Sequence, residues 1–265
     1  MKYRSPEQAA FEHLLNISIE LSKEDDSDIL MEKILLAAVE VSNADAGSIY
    51  LVTESKELEF RTIYNKSLGL HLGGSSSQEI TFPPIPLFVD NEPNQSAIVA
   101  HAANSGEVIN IEDVYATVPF DFSAARKMDS KTGYKTKSML TFPLKDHTDD
   151  IIGVIQLINA MDGDQITTFS VPIERQLLSF ASLGAIALTN KALISNMEKL
   201  FESFAKTIAI AIDAKSPHTG GHCKRIPELT LMIADAVHDY KEGPLASFTL
   251  TEEERYQLNI LRLAS

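Results

Sequence analysis

The longest helical pattern in the sequence is the feature that most limits the fold. From Ser170 onward the residues keep helical periodicity for about 45 positions, until Pro217 and a Gly-Gly pair interrupt it. A helix of that length measures about 68 Å, well beyond an ordinary globular helix. The chain therefore combines a compact region with a helix that continues beyond it.

One set of residues in this helix repeats at alternating spacings of three and four, as a heptad seam does. The set is Leu183, Ile186, Asn190, Leu193, Met197, Leu200 and Phe204. A single asparagine in an apolar seam is a device that fixes the register of a coiled coil. We expect a homodimer that pairs through this seam. The other interpretation is one apolar stripe that packs on its own domain.

The residues before this helix predict an α+β domain. Ser5 and Gln8 form the pattern of a capping box and predict a first helix. Further helices are predicted at 28–42 and ending at Gly106, and the segment 120–131 is either a short polar helix or irregular. Strands are predicted at 46–52, 58–64, 107–113, 138–144 and 151–158. Because most strands follow one another through short turns, we expect an antiparallel sheet of about six strands with helices packed on it, followed by the long helix and a short all-α segment. The Gly/Ser/Pro-rich stretch from residue 65 to 86 predicts a long loop, a kind that often forms lids.

The composition of the chain limits the partners and the compartment that we expect. The net charge is −14, from 37 acidic and 23 basic residues, and no local basic patch is evident, so we expect no nucleic-acid binding. One cysteine excludes an internal disulfide and fits a reducing compartment. The N-terminus is too polar for a signal peptide, and no fully apolar run reaches about 18 residues. We expect a cytoplasmic protein without a membrane span.

Residues 1–200 resemble a GAF domain of the cyclic-nucleotide phosphodiesterase and cyclase type. The resemblance is carried by "AGSIYLV", by "IIGVIQLINA" and above all by the run Asp-x-x-Thr-Gly-Tyr-x-Thr at 129–136. It implies a GAF fold and a ligand site at the matching positions, which are Ser48, Tyr64, Asn65, Ile98, Val99, Asp129, Thr132, Thr136 and Gln156. Such a set offers a purine an apolar slot and a few placed hydrogen-bond groups. Cyclic AMP and cyclic GMP are the first candidate ligands.

The sequence departs from the nucleotide-binding pattern after the last strand. Relatives of that type usually carry Asn-Lys…Phe-x-x-x-Asp-Glu, and here Ala160 and Ile173 stand at the Lys and Asp positions. Both halves of the implied ion pair are missing together, which indicates a replacement by apolar packing. The hydroxyls of Thr132 and its neighbours could also bond only to the backbone at the start of a strand. A ligand-free dimerisation scaffold is therefore the alternative to a sensor.

Residues 203–265 resemble the first helices of an HD-GYP domain, the family of metal-dependent cyclic di-GMP phosphodiesterases. The resemblance is carried by "SPHTGGHCKRIPELTLMIADAV" and "EGPLASFTLTEEERYQLNI". It implies that His222 is a metal ligand and that a complete domain holds iron or manganese. No His or Asp follows Glu254, so the His-Asp dyad is missing and we expect this chain to hold no cofactor and to be catalytically inactive. The sequence ends inside a helical pattern, and we expect the natural chain to continue.

These patterns predict three regions: a GAF sensory domain at 1–170, a signalling and dimerisation helix at 171–212, and an HD-GYP fragment at 213–265. The predicted function is the regulatory module of a cyclic di-GMP phosphodiesterase-type signalling protein. A small ligand in the GAF domain would signal through a helical dimer to the HD-GYP output.

Overall fold

A computed structural model describes residues 24, 26–116, 120–215, 222–240, 242–251, 254, 255 and 258. It does not describe the side chains of residues 124, 125, 127, 128, 131, 209, 212–215 and 222–228. The predicted helix at Ser5 lies outside the described residues. The chain divides into two compact units, Met1–Lys191 and Ala192–Ser265, and the division falls inside the long helix.

The elements follow the predicted order. The helices are α1 (Ser27–Ser42), α2 (Ile98–Ser105), α3 (Ser123–Thr132), α4 (Val171–Lys215) and α5 (His222–Asp239). The strands are β1 (Ala44–Val52), β2 (Glu57–Asn65), β3 (Leu70–Gly73), β4 (Ile85–Pro86), β5 (Phe88–Val89), β6 (Glu92–Pro93), β7 (Ile109–Ile111), β8 (Met139–Lys145), β9 (Ile151–Asp162) and β10 (Gln165–Thr167). The segment 65–86, predicted as a loop, contains strands β3 and β4, and the loop prediction was wrong at those two points.

Eight strands form one antiparallel sheet in the order β3-β2-β1-β9-β8-β7, with β4 paired to β2 and β10 paired to β9, and β5 and β6 form a separate two-stranded sheet. The expected antiparallel sheet of about six strands is confirmed. A carboxylate oxygen of Asp26 caps α1 by accepting from the amides of Asp28 and Ile29 at 2.8 and 3.1 Å. Asn43 then ends α1 in the left-handed conformation, which directs the chain into β1.

One face of the sheet, which we call the packed face, is covered by α1 and the first turns of α4. Its largest fully buried side chains include Leu35, Phe142, Leu157 and Phe180. Two glycines permit the close approach of the helices. A Cβ at Gly47 on β1 would lie 2.9 Å from Leu35 Cδ1, and a Cβ at Gly184 on α4 would lie 3.2 Å from Ile34 Cγ2.

The opposite face, which we call the hollow face, is covered only in part. Tyr50, Met139 and Val154 point to this side and pack against Ile98 and Val99 of α2. Gly106 ends α2 in the left-handed conformation, as predicted. The remainder of this face, along β1, β2 and β3, borders the cavity described below.

Helix α4 has two apolar sides, one buried and one exposed. Leu177, Phe180, Ala181 and Leu188 are buried in the core of the packed face. The apolar residues of the predicted seam instead are 38–70% exposed: Leu183, Ile186, Leu193, Met197, Leu200 and Phe204. Within the first unit, Leu183 and Ile186 therefore do not pack on the domain, whereas for the later seam residues the alternative of one stripe that packs on its own domain stays open. Which partner covers the seam stays a prediction.

The stretch Val171–Ile208 is long and apolar enough to cross a membrane by length and composition, which the sequence analysis did not expect. The prediction required an unbroken apolar run, and uncharged polar residues such as Asn190 interrupt that run. The same residues add no charge, so the average hydropathy of the stretch stays high enough for a span. One such helix is weak evidence for a membrane span. A core helix passes the same test, and 33% of the most apolar part of this stretch is buried in the protein.

In the second unit, the residues after α5 contain a capping box. The Thr251 amide donates to Glu254 Oε2 at 2.9 Å, and the Glu254 amide donates to Thr251 Oγ1 at 3.2 Å. Thr251 Oγ1 also donates to Glu254 Oε2 at 2.9 Å, and the bonds from the Thr251 amide and hydroxyl lower the pKa of the Glu254 carboxyl. His238 Nδ1, at the end of α5, accepts from the Leu250 amide at 2.8 Å.

Candidate functional site

A cavity of about 610 Å³ lies against the hollow face. Its floor is formed by β1, β2 and β3, and its walls by the C-terminal end of α3, the chain that leads into β8, and Phe82. The register explains which side chains reach it. Ser48 lies opposite Ile63, Ala46 opposite Asn65, and partners across antiparallel strands point to the same face.

The wall of the cavity is mostly apolar. Ten apolar or aromatic residues border it: Ala46, Gly47, Ile63, Tyr64, Leu68, Leu70, Leu72, Phe82, Tyr134 and Ile158. Five polar residues border it as well: Ser48, Asn65, Asp129, Thr132 and Thr136. Phe82 is held over the site through Phe60, with ring centroids 5.6 Å apart, and Phe60 lies 4.5 Å from Tyr50. A volume of this size is typical of small-molecule sites.

Asp129 is buried and holds the end of α3 against the start of β8. Its Oδ2 accepts from the Thr136 amide and the Tyr115 hydroxyl, both at 2.8 Å, and its Oδ1 accepts from Thr136 Oγ1 at 2.9 Å. The hydrogen bond to Asp129 raises the pKa of Tyr115. Asp129 and Thr136, both predicted to face a ligand, are therefore already bonded to each other.

The Tyr134 hydroxyl is the centre of a second network. Asn159 Nδ2 donates to it at 3.0 Å and also to the Lys135 carbonyl at 2.8 Å. Burial raises the pKa of Tyr134, and a hydrogen bond to Asp45 raises it further. Hydrogen bonds from Asn159 and Asn65 lower this pKa by a smaller amount, so the net shift is upward. Asn159 has a left-handed backbone and also accepts from the Lys137 amide at 2.7 Å. The asparagine of the signature after the last strand thus holds the chain that forms the cavity wall.

Six of the nine predicted ligand residues border the cavity: Ser48, Tyr64, Asn65, Asp129, Thr132 and Thr136. The Tyr64 side chain, however, lies on the packed face, because Tyr64 is opposite Gly47 in the register and packs against the core of that face. Ile98 and Val99 do not border the cavity, because they are buried against the strands in the filled part of the hollow face. Gln156 lies opposite Ser48 in the register but does not border the cavity either. Its side chain contacts Tyr50 OH at 3.4 Å and Met139 Sδ at 3.2 Å. Whether any of these residues binds a ligand stays a prediction.

The residues that cover the cavity from the edge strand were not among the predicted site residues. Leu70 and Leu72 on β3 and Phe82 beyond it all border the cavity, and the sequence analysis placed them in a loop. The alternation Leu70-His71-Leu72 was the available signal. Three glycines and a serine run around it hid the strand.

The segment after β3 is tied to α1 through a buried carboxylate. The Ser75 amide donates to Glu32 Oε2 at 2.6 Å, and Ser75 Oγ donates to Glu32 Oε1 at 3.0 Å. His71 Nε2 lies 3.2 Å from Glu32 Oε1, and the His71 ring meets the Tyr64 ring edge-on. This anchor positions β3 and therefore the two leucines that close the cavity.

The two departures from the nucleotide-binding pattern lie where apolar packing was predicted. Ala160 is buried in the core of the packed face, and Ile173 packs against that core. Nearby, Asn110 Nδ2 donates to the Phe169 carbonyl and to Glu174 Oε2, both at 3.0 Å. Both side chains therefore pack in the apolar core, and their replacement of an ion pair stays a prediction.

The described residues contain no group of three or more His, Cys, Asp or Glu side chains that could hold a metal. His222, the predicted metal ligand, begins α5, but its side chain is outside the described part of the chain. That prediction is left as it stands.

Residues 26–212 match the family model described as "GAF domain". The chain belongs to the GAF family. GAF domains bind small ligands such as cyclic nucleotides and are typically soluble. The match includes the first 42 residues of α4, so the long helix lies mostly inside the family region.

Two curated relatives are cyclic-nucleotide phosphodiesterases. The chain is 27% identical over 187 residues to Dual 3',5'-cyclic-AMP and -GMP phosphodiesterase 11 of Drosophila melanogaster, covering 62% of this chain and 13% of that protein. It is 26% identical over 212 residues to Dual 3',5'-cyclic-AMP and -GMP phosphodiesterase 11A of Takifugu rubripes, covering 80% of this chain and 22% of that protein. The chain thus spans less than a quarter of either relative.

Solved GAF structures share the fold at low identity. The GAF domain of phosphoenolpyruvate-protein phosphotransferase from Coxiella burnetii has a TM-score of 0.53 and 13% identity, covering 72% of this chain and 99% of that one. The equivalent Acinetobacter domain has a TM-score of 0.51 and 15% identity, covering 71% and 98%. Free methionine-R-sulfoxide reductase from Neisseria meningitidis, solved with its substrate, has a TM-score of 0.51 and 15% identity, covering 73% and 97%. These matches support the fold alone.

Proposed function

We propose that this GAF domain is the sensory part of a signalling protein and that a small molecule in the cavity is its input. The observation that carries this proposal is the 610 Å³ cavity on the hollow face, which is filled neither by Phe82, which borders it, nor by the Tyr64 side chain, which packs on the opposite face. A cavity plugged by those two side chains would have favoured the ligand-free scaffold instead. The names of the curated relatives suggest a cyclic nucleotide as one candidate ligand.

The route from cavity to output is the sheet itself. Ser48 of β1 borders the cavity, and the next residue, Ile49, is fully buried in the core that also contains Phe180 of α4. A ligand that favours one of two packings of this sheet would change how α4 is seated, and differential binding is all that such a switch requires.

The output that we propose is an HD-GYP domain, begun by residues 213–265, with the whole protein hydrolysing cyclic di-GMP. This rests on the sequence resemblance alone. In that proposal His222 contributes one ligand to an iron or manganese site.

We propose that the exposed seam of α4 pairs with a second copy of the chain. Asn190 lies in the seam, whereas Asn196 is an exposed asparagine of the same helix outside it. Replacing the seam asparagine by leucine should raise dimer stability or alter oligomer number, because a buried polar residue at a seam position reduces stability in return for register. Asn196→Leu is the matched control. Sedimentation velocity that shows monomers for the parent chain and both variants would contradict pairing.

The sensor proposal is tested by filling the cavity without a ligand. Ile63→Trp places a large ring in the cavity, and Glu54→Trp adds the same ring in the exposed turn between β1 and β2. Hydrogen exchange should change in residues 171–191 of the first variant and stay at the parent level in the second. Unchanged exchange in a well-folded Ile63→Trp variant would favour the scaffold function.

Binding of the candidate nucleotides is tested directly by calorimetric titration with cyclic AMP and cyclic GMP. Thr132→Ala is the informative variant, because Thr132 borders the cavity at the exposed end of α3. Saturable heat that the variant weakens would support a nucleotide sensor. No heat with either nucleotide would remove the cyclic-nucleotide version and leave the sensor proposal to the exchange experiment.

A further inference from the structure

We infer that the ligand of the cavity is an uncharged, mainly apolar molecule and that the cavity excludes anions, including the phosphate of a cyclic nucleotide. The inference rests on the proposed sensor function and specifies its ligand class. It follows from three properties of the cavity: the apolar wall, the engagement of its polar groups within the protein, and the sign of its charge.

The apolar wall is continuous across the floor and cover. Ile63, Leu70 and Leu72 point into the cavity from neighbouring strands, with Ile63 opposite Leu72 and Leu70 opposite Asn65 in the register. Leu68, Phe82 and Ile158 extend this surface. A ligand that buries such a surface gains free energy in proportion to its own apolar area.

The polar groups at the other end already have partners inside the protein. Both oxygens of Asp129 accept hydrogen bonds from Thr136 or Tyr115. Asn65 Oδ1 accepts from the Leu68 amide at 2.9 Å, and the Tyr134 hydroxyl accepts from Asn159 Nδ2. A ligand that competed for these bonds would leave buried groups unsatisfied, which opposes binding. The favoured ligand therefore needs few hydrogen bonds.

The charge at the cavity has the wrong sign for a phosphate. The Asp129 carboxylate borders it, and so does the C-terminal end of α3, which carries the negative end of the helix dipole. None of the described residues that border the cavity is a lysine or arginine. The N-terminus of α2, which could have offered amides to an anion, lies at Ile98 and Val99, outside the cavity wall. A buried anion without a partner is strongly disfavoured.

A matched pair of fluorescent probes tests the inference on the full 265-residue chain. N-phenyl-1-naphthylamine is uncharged, and 8-anilinonaphthalene-1-sulfonate has the same anilinonaphthalene skeleton with an added sulfonate. We expect saturable binding of the uncharged probe and at least about tenfold weaker binding of the sulfonate, a difference of about 1.4 kcal/mol. Cyclic AMP should not displace the uncharged probe.

Variants locate the binding. Ile63→Trp and Leu70→Trp, on different strands, should each abolish binding of the uncharged probe, and two variants are used so that one misfolded protein does not decide the result. The double variant Met197→Ser with Leu200→Ser removes apolar groups from the exposed seam of α4 and should bind as the parent does. Loss of binding only in this double variant would overturn the inference, because the probe would then occupy the helix.

The remaining outcomes separate the inference from the sensor function. Equal binding of both probes in the cavity, or cyclic AMP binding that Ile63→Trp abolishes, would overturn the uncharged ligand and leave the sensor standing. Absence of binding for both probes and both nucleotides would overturn the inference and weigh against sensing as well.

Discussion

The two faces of one sheet differ in how they are completed. The packed face is closed by α1 and α4 with fully buried side chains such as Leu157 and Phe180 and with two glycines where helices come close. The hollow face is closed by α2 over one half and by a cavity over the other, and hydrogen bonds around Asp129 and Tyr134 hold its wall. The same strands supply both faces, since side chains alternate along each strand.

The difference separates stability from recognition within one small domain. Close packing on one side can stabilise the sheet while the other side keeps space for a ligand. The comparison predicts that equivalent substitutions have unequal effects on the two faces. Four predictions follow that comparison from the largest effect to the smallest.

Shortening a leucine should cost most on the packed face. Leu157→Ala removes a fully buried side chain from the central strand β9 and should lower the free energy of unfolding by about 3–5 kcal/mol. Leu72→Ala enlarges a space that already exists and should cost about 1 kcal/mol. Urea unfolding monitored by circular dichroism measures both. Equal costs would mean that the cavity is closed in solution.

Removing the Asp129 carboxylate should have the next largest effect. Asp129→Ala leaves the Thr136 amide, the Thr136 hydroxyl and the Tyr115 hydroxyl without their acceptor, and we expect a loss of about 2–3 kcal/mol. Asp164→Ala, in the exposed turn between β9 and β10, should stay within about 0.5 kcal/mol of the parent. An Asp129→Ala variant as stable as this control would show that the network does not hold the cavity wall.

Added methyl groups should affect stability differently at two adjacent residues that face opposite sides of the sheet. Gly47→Ala places one methyl 2.9 Å from Leu35 Cδ1 on the packed face and should cost about 1–3 kcal/mol. Ala46→Val adds two methyl groups beside the cavity and should change stability by about 0.5 kcal/mol or less. Thermal unfolding of both variants is the measurement. A larger loss for Ala46→Val than for Gly47→Ala would reverse the assignment of the two faces.

Alkaline pH should weaken the hollow face in particular. Burial raises the pKa of Tyr50, and burial together with Asp45 raises the pKa of Tyr134. The folded chain therefore holds these protons more tightly than the unfolded chain, whose tyrosines lose them near pH 10. Their stabilisation is complete below about pH 10 and is lost as pH rises through the raised pKa values.

The test compares urea unfolding at pH 8 and at pH 11 for the parent chain and for Tyr134→Phe. The variant should lose less stability between the two pH values, because phenylalanine has no hydroxyl to ionise. Tyr240→Phe, at an exposed position after α5, is the control and should behave as the parent. Identical pH dependence in all three proteins would argue against a shifted Tyr134.

The helices and strands could be predicted from the sequence, whereas the surroundings of their side chains could be predicted only in part. The periodicity of α1 and α4 and the turns between strands are local properties, so their bounds follow from nearby residues. Ile98 and Val99 were correctly predicted to lie on a helix. Tertiary packing buries their side chains in the filled half of the hollow face, and for this reason they do not border the cavity. Asp129 was identified as a site residue, whereas its bonds to Tyr115 and Thr136 join positions that no local pattern connects.

The absent side chain at Gly184 has a consequence for the direction in which α4 presents its seam. A residue on an α-helix is turned by about 100° from its neighbour, so the contact of Gly184 with Ile34 determines the azimuth of Leu183 and Ile186 as well. A larger residue at this point would need Ile34 to move or the helix to shift, and a shifted helix would present the seam in another direction although the seam sequence stayed the same. The direction in which the exposed seam faces thus depends on the opposite side of the helix, where Gly184 has only a hydrogen atom as its side chain.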